Sequence, residues 1–196
     1  MKANIPWERY GLIAELSYRL ENISSQFGKT LLQKMIYLLQ EGLNVDCGYQ
    51  FELYIYGPFA PQIYNDLDFL ETSEGIEVHK VLSGTGGFSI HPGKNNGNLR
   101  TKAEDFLNDA EVKNKIDKLI SDFGNYNAKE LELRATIVYI QREFTISGNT
   151  ISSKTISDTV SKIKPKFSKS EIDKAISELI SKNYIVSKNE YCKHAI

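Results

Sequence analysis

The chain has 196 residues, of which 41% are hydrophobic, and its 24 basic and 25 acidic side chains leave a net charge of −1. This length is enough for one domain or two small ones, and the balanced charge excludes a protein that is polycationic over its whole surface. Because no apolar run reaches the ~18 residues of a membrane span and Cys47 and Cys192 lack pairing motifs, we expect a soluble cytoplasmic protein.

Two helices are predicted in the N-terminal part. Pro6 fits the first turn of an amphipathic helix over residues 6–23. The next helix begins near Lys29 and carries apolar side chains around more than half of its circumference until Gly42 ends it. Such an all-round pattern indicates a helix deep in the core, covered by the first one.

An aromatic strand follows over residues 49–56, where side chains alternate between two faces. Tyr49, Phe51, Leu53 and Ile55 share one face, which we expect to be buried, while Tyr54 and Tyr56 share the other face. Gly57 and Pro58 then turn the chain, and Pro61 starts a third helix.

A β-hairpin wing is predicted next, because residues 76–82 and 88–91 are β-prone and flank a glycine-rich turn. A helix pair, a third helix and a hairpin follow one another in the order of a winged helix, with the aromatic strand as an insertion. Residues 92–98 are predicted to form a polar loop, and Thr101 with Glu104 a capping box that starts another helix. Helical spacing then continues to Gly124.

The C-terminal part repeats the winged-helix order on a smaller scale. Asn127 with Glu130 starts a helix that runs to about Glu143, and a further helix ends near Pro165. Ser168 and Glu171 form a capping box before an amphipathic helix, and residues 184–186 with 188–190 suggest a short second wing. We therefore predict an α+β, mainly helical fold with winged-helix-like elements and small β-hairpins. Its units would be residues 1–127, whose distal helix extends to about 143, and residues 128–196.

Several of these segments resemble a known family. The run LQKMIYLLQ, the aromatic strand ending in YGPF, the Pro-led helix and the closing EGI resemble the Panacea (SocA-like antitoxin) domain and related YwgA-like uncharacterised bacterial proteins. The later run IDKLISDFGNYNAKELEL is similar to the distal part of that domain, so the likeness covers roughly residues 10–140. One difference is that antitoxin members commonly carry a tryptophan after these segments, whereas Trp7 is the only one here. The resemblance implies an antitoxin-like or regulatory protein that binds and restrains a partner protein such as a toxin encoded nearby.

Catalytic and metal-binding motifs are missing from the sequence, so we expect no enzymatic activity, cofactor or metal. Gly28-Lys29-Thr30 lacks the earlier glycine of a P-loop and reads as a helix start. No two histidines or cysteines lie at metal-ligand spacing, although His79 and His91 could face each other across the predicted hairpin. No G-x-S-x-G elbow is present for a serine nucleophile.

Aromatic side chains around the Gly-Pro turn are the leading candidate for a binding surface. Tyrosine and phenylalanine on a rigid turn form an amphipathic patch of the kind that protein interfaces favour. The alternative is that a neighbouring helix covers this face of the strand. The predicted partner-binding residues are Tyr54, Tyr56, Gly57, Pro58, Phe59 and Tyr64.

A lysine-rich C-terminal unit supports a second hypothesis, a winged-helix transcriptional regulator that binds DNA. Residues 151–196 contain nine lysines against five carboxylates, and this local surplus could hold phosphates. A solvated lysine face remains the alternative, because the second helix of the unit offers no Arg, Asn or Gln for base reading. The candidate phosphate contacts are Lys154, Lys162, Lys164, Lys166, Lys169 and Lys174. The sequence leaves open whether the chain forms homo-oligomers.

Overall fold

The computed structural model describes residues 5–24, 26–82, 86–149 and 151–186. Within these ranges the chain is mainly helical with two small antiparallel hairpins, which confirms the predicted α+β, mainly helical class. The helices are α1 (Trp7–Leu20), α2 (Lys29–Tyr37), α3 (Gln62–Thr72), α4 (Asn96–Lys102), α5 (Glu104–Leu107), α6 (Ala110–Phe123), α7 (Ala128–Ile146), α8 (Ser153–Ile163) and α9 (Lys169–Ser181). The strands are β1 (Glu52–Tyr54), β2 (Gly57–Phe59), β3 (Ile76–Lys80) and β4 (Phe88–Pro92).

Helix α2 occupies the centre of the fold, as its apolar pattern predicts. Every residue from Leu31 to Tyr37 is buried, and a π-helical stretch, Leu38–Gly42, continues it to the predicted stop. Helix α7 packs against α2 and β2 and also against α8 and α9. One hydrophobic core therefore includes residues of both predicted units, from Leu12 to Ile185.

The aromatic strand is shorter than predicted. Of the predicted span, only Glu52–Tyr54 forms a strand, and β1 pairs with β2 so that Tyr54 lies opposite Gly57. The predicted core position of Ile55 is wrong, because Ile55 and Tyr56 form the turn between the strands and Ile55 is exposed. A tight turn interrupts the alternation of faces that the sequence pattern assumes.

The segment after the second hairpin is helical, which corrects two predictions. Asn96, expected in a polar loop, begins α4 and is buried. Its side-chain amide donates hydrogen bonds to the carbonyls of Ala14 and Gly75, both at 3.1 Å, and to the Ser17 hydroxyl. Thr101 lies inside α4 instead of capping a helix, because these long-range contacts outweigh its local capping preference.

Two other predicted helix starts are confirmed. Asn127 with Glu130 and Ser168 with Glu171 form reciprocal capping boxes at the starts of α7 and α9.

The hairpin β3–β4 has the predicted position, with Ile76 opposite Pro92. Residues 184–186 form no strand within the described residues, and their predicted partner, residues 188–190, lies outside the described residues. In the part of the chain that the structure describes, no helix has the length and apolarity needed to cross a membrane.

Candidate protein-binding surface

The β1–β2 turn exposes three consecutive large hydrophobic side chains, which we name the hairpin tip. Tyr54, Ile55 and Tyr56 are 63%, 68% and 61% exposed. Nowhere else in the described ranges do three consecutive positions expose large hydrophobic side chains. Exposed apolar residues that occur singly are normal on soluble proteins, but a contiguous group marks a candidate interaction site. No described helix covers the tip.

Two buried lysines hold the hairpin beneath its tip. The ammonium of Lys34 in α2 donates a hydrogen bond of 2.6 Å to the carbonyl oxygen of Pro58. The ammonium of Lys164, just after α8, donates to the carbonyl oxygen of Ile55. Gln33 adds two bonds of 3.0 Å to the backbone of Ala60, one donated and one accepted. The hairpin is thus fixed from two helical elements that lie far apart in the sequence.

A buried carboxylate balances these lysines only in part. Glu132 of α7 accepts from Lys164 at 2.8 Å and from Lys166 at 2.7 Å. The side chains of Lys164 and Glu132 are 6% and 4% exposed, so water screens their attraction little. Desolvation lowers the pKa of Lys34 to about 8, with Lys164 acting in the same direction and Glu132 opposing it. Glu132 thus pairs with two ammonium groups and acts on that of Lys34 only as a nearby charge, which leaves an excess of positive charge under the hairpin.

The lowered pKa of Lys34 predicts how stability depends on pH. From about pH 8 to its ordinary value of 10.5, Lys34 loses its proton in the folded state but keeps it in the unfolded state. Because the unfolded state then binds more protons, stability rises with pH in this window. We expect the free energy of unfolding of the wild type, measured relative to Lys34→Met, to rise by about 1 kcal/mol per pH unit there.

Urea denaturation of both proteins at a series of pH values checks this expectation. Burial raises the pKa of Tyr37 and of Cys47, and their ionisation in the unfolded state lowers stability at high pH. Both proteins keep these groups, so their contribution cancels in the difference. A difference that stays constant from pH 8 upward would contradict a depressed pKa at Lys34.

The structure divides the six predicted partner-binding residues into two roles. Tyr54, Tyr56 and Tyr64 are exposed and Phe59 is half-buried, whereas Gly57 and Pro58 are buried and support the turn. Gly57 has φ +88, and a Cβ there would lie 3.1 Å from the Thr136 hydroxyl, so only glycine suits this close approach to α7. The prediction missed Ile55 because the predicted turn at Gly57 and Pro58 is wrong: these two residues begin strand β2, and the turn lies just before them.

Aromatic rings form a row that leads from the hairpin tip to α3. The ring of Tyr54 lies 5.9 Å from that of Phe59, and Phe59 lies 5.6 Å from Tyr64. Such spacings are typical of favourable aromatic pairs. The row extends the exposed apolar surface beyond the three residues of the tip.

A groove of about 1,010 Å³ opens beside this row, between the first turns of α2 and α7. We name it the lysine groove, because Lys29, Lys129 and Lys166 line it together with Tyr56, Tyr64 and Phe88. Glu132 is the acidic side chain that reaches its wall, and Lys164 and Lys166 already contact that carboxylate. The sequence gives no sign of this groove, since its walls come from distant segments.

The six lysines predicted to contact DNA do not form one exposed surface. Lys164 is buried under the hairpin, which removes it from any phosphate-binding face. Lys166 lies at the lysine groove, and Lys169 pairs with Asp158 at 2.8 Å. The remaining three, Lys154, Lys162 and Lys174, are exposed on α8 and α9.

The structure locates the histidine and glycine motifs that the sequence singles out. His79 and His91 face each other across β3–β4 as expected, with ring centroids 5.1 Å apart. Within the described ranges, no three His, Cys, Asp or Glu side chains are grouped as a metal site would require. Cys47 is buried, and Cys192 lies outside the described residues. Gly28 precedes α2, so the Gly28-Lys29-Thr30 motif is a helix start, as predicted.

Comparison of the chain with models of known protein families finds no match, and a comparison with curated proteins finds none either. The hairpin tip and the lysine groove are therefore the features of the molecule that point to a function.

Proposed function

We propose that this protein is a non-catalytic binding protein that captures and restrains a partner protein at the hairpin tip. The observation that carries the proposal is the exposure of Tyr54, Ile55 and Tyr56 on a turn held by buried lysines. Tyrosine is enriched in protein interfaces and at their energetic centres, where a large amphipathic ring is buried at a low entropic cost.

The family resemblance supports a more specific form of the proposal. The aromatic strand and YGPF turn that resemble the Panacea domain are the segment that forms this hairpin. A protein that restrains a partner by binding can use a preformed surface, and the tip offers one that is held at the carbonyls of Ile55 and Pro58. We propose a toxin encoded by a neighbouring gene as the partner.

Removal of the tip side chains tests the proposal directly. We expect Tyr54→Ala with Tyr56→Ala to weaken partner binding by at least about tenfold, because both rings would be buried at the centre of the interface. The free energy of unfolding should change by no more than about 0.5 kcal/mol, since both side chains are mostly exposed in the free protein. Co-purification from the native host, followed by titration calorimetry with the captured protein, measures the loss.

The control for this experiment is Tyr18→Ala. Tyr18 is an exposed tyrosine of α1, outside the hairpin and the groove, and we expect its removal to leave partner binding unchanged. Equal retention of the partner by the wild type and the tip variant would contradict the proposal, as would failure to recover any stoichiometric partner.

A DNA-binding regulator has weaker support, and we place it second. Four exposed lysines on α8 and α9 favour it, but one of them, Lys169, pairs with Asp158. Burial of Lys164 and the pairing of Lys166 with Glu132 reduce the available positive charge further. Salt-sensitive binding to the promoter of its own gene that weakens on Lys154→Glu with Lys162→Glu would favour this alternative.

A further inference from the structure

The lysine groove has a strongly positive character in a chain whose net charge is −1. Its charged lining consists of Lys29, Lys129 and Lys166 against Glu132. That carboxylate is already shared by Lys164 and Lys166, and Lys34 and Lys164 add buried positive charge behind the wall. Because the wall is partly desolvated, the positive potential concentrates in the groove, where a ligand of opposite charge would meet it.

The backbone around the groove contributes in the same direction. Helix α2 begins at the groove with Gly28, Lys29 and Thr30, and no side chain caps its first turn. Helix α7 also begins there, although Asn127 and Glu130 cap it. The N-termini of helices carry partial positive charge, so both ends add to the field of the three lysines.

The aromatic walls discriminate between kinds of anion. The ammonium of Lys29 lies 5.5 Å from the ring centre of Tyr64 and 4.7 Å from that of Phe88, and Lys166 lies 5.7 Å from Tyr56. Stacked bases of a single-stranded nucleic acid would have to displace these cations from the rings. Carboxylates can approach the ammonium groups from the open side of the groove and leave the cation–π contacts in place.

The size and position of the groove indicate an extended ligand that belongs to the partner. Its volume of about 1,010 Å³ reaches the upper end of the range for small-molecule pockets, so a small ion would leave it largely empty. Tyr56 belongs to both the hairpin tip and the groove wall. A chain segment that enters the groove would therefore continue from whatever covers the tip.

We infer that the lysine groove binds an extended, carboxylate-rich segment of the protein that the hairpin tip captures, an inference that rests on the proposed function. The tip supplies the apolar contact, and Lys29 and Lys129 pair with acidic side chains of the segment, next to Lys166, which already contacts Glu132. Lysine charges that remain accessible give selectivity and faster association more than raw affinity.

The test uses the whole protein and a fluorescein-labelled decapeptide of alternating glutamate and glycine, followed by fluorescence anisotropy. The glutamine–glycine decapeptide and labelled decathymidylate are the comparison probes. We expect binding of the glutamate peptide and none of the glutamine peptide. Lys29→Gln with Lys129→Gln should weaken peptide binding by about tenfold, the loss expected for two accessible charge contacts. Binding should also weaken as the salt concentration rises.

The matched control is Lys154→Gln with Lys162→Gln, which removes two exposed lysines of α8 that do not line the groove. We expect it to bind the glutamate peptide as the wild type does. The same loss in both variants, no binding of the glutamate peptide, or tighter binding of decathymidylate would each overturn the inference. Far-UV circular dichroism of both variants verifies that they remain folded.

The peptide titration tests the groove and the partner capture tests the proposed function, so a negative result in one experiment does not imply a negative result in the other. If the glutamate peptide does not bind while capture still depends on Tyr54 and Tyr56, the groove assignment is wrong and the proposed function stands. If no partner is captured, the proposed function and the inference built on it both fail. A groove that still binds the glutamate peptide would then be an anion site of another kind.

Discussion

We expect Glu132→Ala to lower the free energy of unfolding by about 3–5 kcal/mol, because it leaves buried ammonium groups without a counter-charge. Lys164 would lose its carboxylate partner, and Lys34, already desolvated, would lose the group that opposes the fall of its pKa. Lys166 is 45% exposed on its side chain and can turn to water. Urea denaturation at neutral pH measures the change through the midpoint and slope of the transition.

The matched control is Glu143→Ala on the same helix. Glu143 is exposed, so we expect its removal to change the free energy of unfolding by no more than about 0.5 kcal/mol. Glu132→Gln should fall between the two, since the amide keeps an acceptor for Lys164 but not the charge. A loss at Glu132→Ala as small as that of the control would show that the buried lysines find other partners.

Gly28→Ala has the second large expected effect. We expect it to lower the free energy of unfolding by about 3 kcal/mol, and this loss comes from steric overlap alone. A Cβ at Gly28 would lie 2.1 Å from the carbonyl oxygen of Phe88, a separation too short for two non-bonded heavy atoms. The two segments cannot separate cheaply, because the amide of Ile90 donates a 2.7 Å hydrogen bond to the carbonyl of Phe27. Since Gly28 has φ −118, alanine suits its backbone conformation, so the steric overlap is the whole cause of the loss. Chemical denaturation measures the effect.

Gly97→Ala is the contrasting substitution. Gly97 lies within α4, and a Cβ there would meet nothing within 4 Å. We expect alanine to raise the free energy of unfolding by up to about 1 kcal/mol through its higher helix propensity. If Gly28→Ala were as well tolerated as Gly97→Ala, the close approach of α2 to β4 would be refuted.

Patterns within one element predicted much of the fold. The all-round apolar pattern around Met35 placed α2 in the core, and the capping boxes at Asn127 and Ser168 fixed the starts of α7 and α9. The errors arose where a long-range contact decides the local structure. Asn96 begins a helix because its side chain bonds to Ala14 and Gly75, and no local rule contains those partners.

The site was predictable only in part for the same reason. Tyr54 and Tyr56 follow from strand alternation, and both are exposed. The network below them could be signalled only at Lys34, a charged residue inside the apolar run of α2, because Glu132 stands among other charged residues and gives no such signal. The sequence predicts a phosphate contact at Lys164, because the number of charged residues in a segment does not show which of them form ion pairs. Its partners, Glu132 and the Ile55 carbonyl, are 32 and 109 residues away.

The two-residue turn of β1–β2, fixed at the carbonyls of Ile55 and Pro58, has a kinetic consequence for any complex. A tip that already holds its bound shape loses little freedom on docking, so encounters need not wait for it to rearrange. Partners that differ in their complementarity to the tip would then have similar association rate constants and differ mainly in their dissociation rate constants.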